Sequence, residues 1–396
     1  MSRLHETGFQ QVRPLTETAA ILGAGEVRIV SVEALALRAP IDVPVKTSFG
    51  TMTDRPAVFL RVRDADGAEG FGEVWCNFPS VGAEHRARLA LSVVGPALVG
   101  LGAVQPSEIF ARLMGRLHIL AIQSGEWGPL RQVAAGLDMA CHDLAARKAG
   151  LPLWRWLGGA PGRIRAYASG IGPEQPAAVA ARGRDLGHRA FKLKVGFGEE
   201  VDRRSLDAVR GLLGDAAILM IDANQGWSAQ EAARLGASLA RSYGLAWIEE
   251  PIAADRPLAE WRDVAGQVGT ALSAGENMNT LAEFDEAIAS GCFAILQPDA
   301  AKWGGVSGCL QVAQRALGAG ISYCPHYLGG GIGLMASAHL LAAAGGPGML
   351  EIDTNPNPWR DRLVGDALTV ADGLIELPDA PGLGIAVDWD GLIRGG

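Results

Sequence analysis

Seven ionisable residues close a series of short apolar segments in the second half of the chain. They are Lys194 after "FKL", Asp222 after "ILMI", Glu249 after "AWI", Glu276 in "ALSAGE", Asp299 in "AILQPD", His326 in "SYCPH" and Glu351 in "GMLE". Asp222, Glu249 and Glu276 are three carboxylates in succession. Gathered in one cleft they repel each other, and a hard divalent cation relieves that repulsion. An all-oxygen donor set favours Mg²⁺, which keeps positions open for water and substrate. Asp299 and His326 pair a carboxylate with an imidazole, which fixes the tautomer, raises the imidazole pKa and makes a general acid/base. Lys192 and Lys194 share one face of "FKLKVG", because strand side chains alternate. Repulsion from Lys192 is expected to lower the pKa of Lys194 toward that of a working base. A nearby dication and an anionic ligand would make two adjacent lysines tolerable.

Each residue has an ordinary alternative. Carboxylates cap helices or pair with cations, lysines snorkel at a rim, and a strand histidine is often a satisfied core residue. It is the ordered set that argues for one site.

The elements that must position these groups follow from the same spacing. Eight strand segments, "RAYASG", "FKLKVG", "AILMIDAN", "AWIEEP", "ALSAGEN", "FAILQPD", "SYCPH" and "GMLEID", recur about every 25 residues with helical stretches between them. That is the rhythm of a (β/α) barrel, whose functional side chains lie at the C-terminal strand ends. A doubly wound open sheet would want a glycine-rich phosphate turn after an early strand, and no GxGxxG or P-loop stands there. Alternation puts Ile218, Met220 and Asp222 on one inward face, and likewise Leu272, Ala274 and Glu276, and Ile295, Gln297 and Asp299. In "CPHYLGGGIG" the glycines after His326 are expected to let backbone approach a ligand. His339 reads as a helix residue, and His5, His85, His118, His142 and His188 have no spacing for joint ligation.

Before residue 160 the texture differs. Residues 1–25 read as a polar, partly disordered leader. A strand at 27–37 and a hairpin, "AVFLRVRD" turning at Asp66-Gly67 into "AEGFGEVWC", precede helical patterns over 83–95, 105–118 and 130–149. Strands first and helices afterwards indicate an α+β domain. The division expected is a leader over 1–25, a first domain over 26–130 and the barrel over 131–365. The segment from about 366 to 396 reads as further strand ("LIELPDAPGLGIAVDWD") returning to complete the first domain.

Composition bounds the partners. The 396 residues carry a net charge of −8 without a basic block, which argues against nucleic acid or an anionic membrane. The five cysteines (Cys76, Cys141, Cys292, Cys309 and Cys324) lack CxxC spacing and fit a reducing cytoplasm. The longest apolar stretch, "LALSVVGPALVGLGAV", is too short and too interrupted to cross a bilayer.

The ordered words "KLK", "DANQGW", "WIEEP", "AGEN", "QPDAAKWGGVSG", "PHYLGGG" and "LEID" resemble the enolase superfamily and, within it, the mandelate racemase subgroup. The resemblance covers nearly the whole chain. It implies a (β/α)₇β TIM-like barrel with an α+β N-terminal capping domain, and a homo-oligomer. Asp222, Glu249 and Glu276 match the family's Mg²⁺ ligands, with Glu250 a neighbour on the other face. Lys194 matches one general base, and Lys192 its electrostatic helper near the substrate carboxylate. His326 with Asp299 matches the opposing acid/base. Glu351 matches the acid that, kept neutral, donates a hydrogen bond to the developing enolate. "TSFGTM" and Trp75–Asn77 fall where family members place cap loops that close over substrate. Lys302 matches the base position of the muconate-lactonizing subgroup, or else supports Asp299 or a metal ligand from behind.

The activity implied is Mg²⁺-dependent removal of the proton α to a carboxylate. Dehydration of an acid sugar to a 2-keto-3-deoxy acid is favoured. A racemase or epimerase, or a lactone cycloisomerase acting on a hydroxy acid through the same enolate, is the alternative. A barrel that merely binds a sugar acid would be expected to lack a base or a metal ligand, and neither is missing.

Overall fold

The computed structural model describes residues 25–47, 50–160 and 162–395. The leader expected over 1–25 lies almost wholly outside the described residues, as do Ser48 and Phe49 of "TSFGTM". Two sheets organise the chain. The first is antiparallel: β1 (Val27–Lys46), β2 (Thr51–Asp64), β3 (Glu69–Val74) and β4 (Ala103–Val104), in the order β3-β2-β1-β4. The helix Trp127–Lys148 packs across it and runs unbroken through the boundary expected near 130.

The second sheet is parallel and contains all eight expected strands. They are β5 (Arg163–Ile171), β6 (Ala190–Lys194), β7 (Ile218–Asp222), β8 (Trp247–Glu249), β9 (Ala271–Ala274), β10 (Ile295–Leu296), β11 (Ser322–Tyr323) and β12 (Met349–Asp353). Their order is β11-β10-β9-β8-β7-β6-β5-β12, a nearly closed barrel with helices between strands. A ninth strand, β13 (Leu374–Glu376), pairs antiparallel with β5. The C-terminal segment therefore differs from expectation. Its strand joins the barrel, and the rest is irregular until a short helix, Trp389–Gly395. That end does return to the first sheet, where Trp389 stacks with Phe71 and beneath Arg61.

Alternation explains why these sequences make a barrel. Phe191, Leu193, Leu219, Ile221, Ile248 and Leu296 bury against the surrounding helices. Tyr167, Ala190, Met220, Trp247, Ile295, Cys324 and Met349 fill the interior. This apolar plug forms the floor under the strand ends. β9 is in the opposite phase to the one expected: Leu272 and Ala274 face the helices, while Ala271 packs against the interior plug. Glu276 still reaches the site because the strand stops at Ala274 and Gly275, at φ +142°, breaks the alternation.

The first domain is fastened to the barrel by buried polar contacts. Arg55 pairs with Asp353 at 2.7 Å. Asp138, fully buried in the helix Trp127–Lys148, accepts from the Ser307 N–H at 3.0 Å and its hydroxyl at 2.6 Å, capping the barrel helix Gly305–Gly318. A Cβ at Gly305 (φ +58°) would lie 2.3 Å from the Asp138 carboxylate. Gly305→Ala is therefore expected to destabilise the protein by about 2–4 kcal/mol, through strain and loss of the cap. An unchanged urea midpoint would contradict that docking role.

Candidate active site

Register places the chemistry. Lys192 lies beside Met220 and Lys194 beside Asp222, and Asp222 lies beside Glu249. Lys192 is fully buried, so it does not snorkel. Its ammonium donates to both Glu249 oxygens at 2.8 and 2.6 Å, sits 2.7 Å from Glu351 Oε1, and is 4.0 Å from Asp222. Lys194 donates to Asp222 Oδ2 at 2.5 Å. The expected lowering of the Lys194 pKa is not found. Burial, the largest single effect, pulls it down and Lys192 adds to that, but the carboxylates of Asp222, Glu249 and Glu351 together outweigh both, and the net direction is upward.

On the other wall, His326 Nδ1 bonds Asp299 Oδ2 at 2.8 Å and Nε2 lies 3.0 Å from Glu276 Oε2. Burial would depress the imidazole pKa, but Glu276, Glu351 and Asp299 together push it up to about 9. Glu351 accepts from Ser169 Oγ at 2.5 Å and from the Tyr327 N–H at 3.2 Å. It is not held neutral, contrary to expectation. Burial acts to raise its pKa, yet Lys192, His326 and Lys194 hold it at about 2.

Glu250 departs from the reading of the sequence and does not turn to the other face. Its φ of 37° breaks the strand alternation, and its buried carboxylate takes both Asn277 amide bonds, at 3.0 and 2.8 Å. Burial, with Glu276 and Asp222 nearby, pushes its pKa up to about 8. Lys302 donates to Glu276 Oε2 at 3.2 Å and to Asn277 Oδ1 at 2.8 Å, with its ammonium 4.9 Å from the Trp75 ring centre. Lys302 and His326 thus contact the same Glu276 oxygen, Oε2.

Other contacts had weak sequence signals or none. Asn224 holds both Asp222 oxygens, at 2.7 and 3.0 Å, and its place in "DAN" was the available signal. Gln297 donates to Glu249 at 2.7 Å and was visible only as an inward position. Ser169 had no signal, because nothing in "YASG" separates it from an ordinary strand serine.

The cluster holds six carboxyl groups: Asp222, Glu249, Glu250, Glu276, Asp299 and Glu351. Against them stand Lys192, Lys194, Lys302 and His326; with every group ionised the excess would be two negative charges, and the raised pKa of Glu250 shows the cluster relieving one of them by protonation. That deficit suits a divalent cation, and the oxygen donors suit Mg²⁺. Among the described residues no three His, Cys, Asp or Glu side chains already stand in ligating geometry. Asp222 and Glu249 are turned onto the lysines, and Glu276 onto Lys302 and His326.

Comparison with known proteins agrees with this architecture. Residues 29–158 match the mandelate racemase/muconate lactonizing enzyme N-terminal domain, and residues 175–391 match the enolase C-terminal domain-like family. The chain is 30% identical to D-galactarolactone cycloisomerase of Agrobacterium fabrum, over 92% of this chain and 98% of that one. It is 26% identical to arabinonate dehydratase of Saccharolobus solfataricus, over 83% and 88%. A mandelate racemase/muconate lactonizing enzyme structure from Bordetella bronchiseptica superposes with a TM-score of 0.88 at 50% identity, over 94% of this chain and all of that one. A magnesium-bound racemase structure from Streptomyces coelicolor gives 0.81 at 28% identity, over 92% and 99%.

Proposed function

Because the chain belongs to the enolase superfamily, within its mandelate racemase/muconate lactonizing enzyme family, we propose that it removes the proton α to the carboxylate of an acid sugar and expels the β-hydroxyl as water. The product is a 2-keto-3-deoxy acid. The observation that carries this reading is two nitrogen groups on opposite walls of one carboxylate cluster. Lys194 stands on β6, and His326 follows β11, which lies across the barrel.

Lys194, once deprotonated, takes the α-proton onto Nζ. The C–H electron pair moves into the carboxylate and gives an enolate. Lys192, buried among Glu249 and Glu351, supplies fixed positive charge where that enolate forms. His326, as imidazolium oriented by Asp299, gives the Nε2 proton to the β-hydroxyl as the C–O bond breaks. The enol then tautomerises to the keto acid. Glu351, ionised in the ligand-free cluster, takes up a proton from solvent when the anionic substrate binds beside it, and the neutral acid then donates a hydrogen bond to the forming enolate. Asp222, Glu249 and Glu276 would hold Mg²⁺. The ion would supply the charge stabilisation that a twice-negative enolate needs.

A panel of acid sugars with Mg²⁺, read by semicarbazide for keto acid and by NMR for α-deuterium, tests this. Deuterium without keto acid would replace dehydration by racemisation. The 30% identity to a cycloisomerase favours lactone cycloisomerisation as the second reading, in which an intramolecular oxygen is the leaving group. For the metal, Glu249→Gln should weaken Mg²⁺ binding at least tenfold by calorimetry. Unchanged affinity would remove Glu249 from the ligand set.

A further inference from the structure

Glu73, at the end of β3, is a buried carboxyl group that the proposed chemistry leaves unused; it is 2% exposed. It crosses from the first domain into the barrel and accepts the N–H groups of Gly330 and Gly333, at 2.5 and 2.9 Å. These amides open the helix Gly331–Ala344, directly after the loop that carries His326. Two N–H groups at a helix N-terminus that donate to one carboxyl fix both the helix and the loop feeding it.

The glycine run "GGGIG" is explained by this contact. A Cβ at Gly330 would lie 2.7 Å from Glu73 Oε1, and one at Gly333 would lie 2.3 Å from the Tyr327 ring. The missing Cβ makes room for Glu73 at Gly330, for Tyr327 at Gly333 and for Leu363 at Gly331.

The next alternate residues repeat the pattern. The Trp75 N–H donates to Ala301 O at 3.1 Å, in the loop between Asp299 and Lys302. The Asn77 amide donates to Leu328 O at 3.0 Å, two residues past His326. Tyr327 N–H in turn holds Glu351. Residues 73, 75 and 77 thus grip both loops of the dyad from outside.

We propose that the 73–77 segment is a fixed strut that sets His326 against Asp299, and that Glu73 is its main positioning residue. The importance of this geometry rests on the reading of His326 as an acid/base, but the contact itself is testable without turnover.

The test uses the full chain without substrate. In Glu73→Ala, hydrogen–deuterium exchange over residues 326–333 should quicken at least tenfold, while peptides covering β6 to β8 stay at the wild-type rate. The His326 Nδ1–H resonance, assigned by its loss in His326→Asn, should shift as its bond to Asp299 loosens. Glu73→Gln keeps one acceptor oxygen and should fall between wild type and Ala. Unchanged protection with an unmoved resonance would overturn the proposal, as would an equal rise across the whole barrel. Should the Ala variant fail to fold, Gln decides: a rise confined to 326–333 supports the strut, and none refutes it. Failure of the acid-sugar screen would leave these readouts intact, so the two ideas fail separately.

Discussion

His326→Asn should lower dehydration of an acid sugar by about 10²–10⁴-fold, the range for loss of a general acid, yet leave α-proton exchange into D₂O within a few-fold of wild type. Asparagine can still bond Asp299 but cannot deliver a proton at the Nε2 position. The two half-reactions separate because the nitrogen groups stand on different walls. Lys194 contacts Asp222 on β7, and His326 contacts Asp299 beyond β10. Lys194→Ala is the complement and should abolish both exchange and keto-acid formation, since no enolate forms. Full turnover in His326→Asn would defeat the dyad assignment. Loss of exchange in that variant would move α-proton removal to His326.

Lys192→Met should cost the metal-free protein about 3–5 kcal/mol of stability, the range for removing one partner of a buried charge group. Lys192 is fully buried, and its ammonium is shared by Glu249 and Glu351 with Asp222 at 4.0 Å. Methionine keeps much of the volume and removes the charge, so the cluster's excess negative charge grows. Mg²⁺ binds the folded state in preference and so restores stability by mass action. Urea midpoints in EDTA and in millimolar Mg²⁺ measure both effects. The charge argument fails if the variant matches wild type in EDTA, or if Mg²⁺ raises its midpoint no more than it raises that of wild type.

The two charged strand positions show what could be read directly. In β6, alternation alone assigns Phe191 and Leu193 to the helices and Lys192 and Lys194 to the interior, and the structure agrees. The same rule failed in β9 and at Glu250. Gly275 at φ +142° and Glu250 at φ +37° leave the β region, and side-chain phase cannot be counted through such residues. Glu276 and Glu250 therefore enter the cluster by local backbone turns that period-two patterning does not encode.

Protonation states were also misjudged from sequence. The pairing of Lys192 with Lys194 on one face points to a lowered pKa, but Asp222, bonded to Lys194, together with Glu249 and Glu351 reverses that direction. Glu351 was expected to stay neutral, but Lys192 lies 2.7 Å away. A pKa depends on the nearest opposite charge and on burial, and neither is known before the chain is folded.

By itself, the sequence determined the eight-strand rhythm, the chemical types at the strand ends and the family, because hydrophobic period and strand-end polarity are local properties. Only the tertiary structure decided which carboxylate meets which cation, that Lys302 contacts Glu276, and that Glu73 reaches 257 residues along the chain to Gly330. Those contacts arise where separate elements close on one another, and side-chain identity does not state which distant partner a buried polar group must find to leave water.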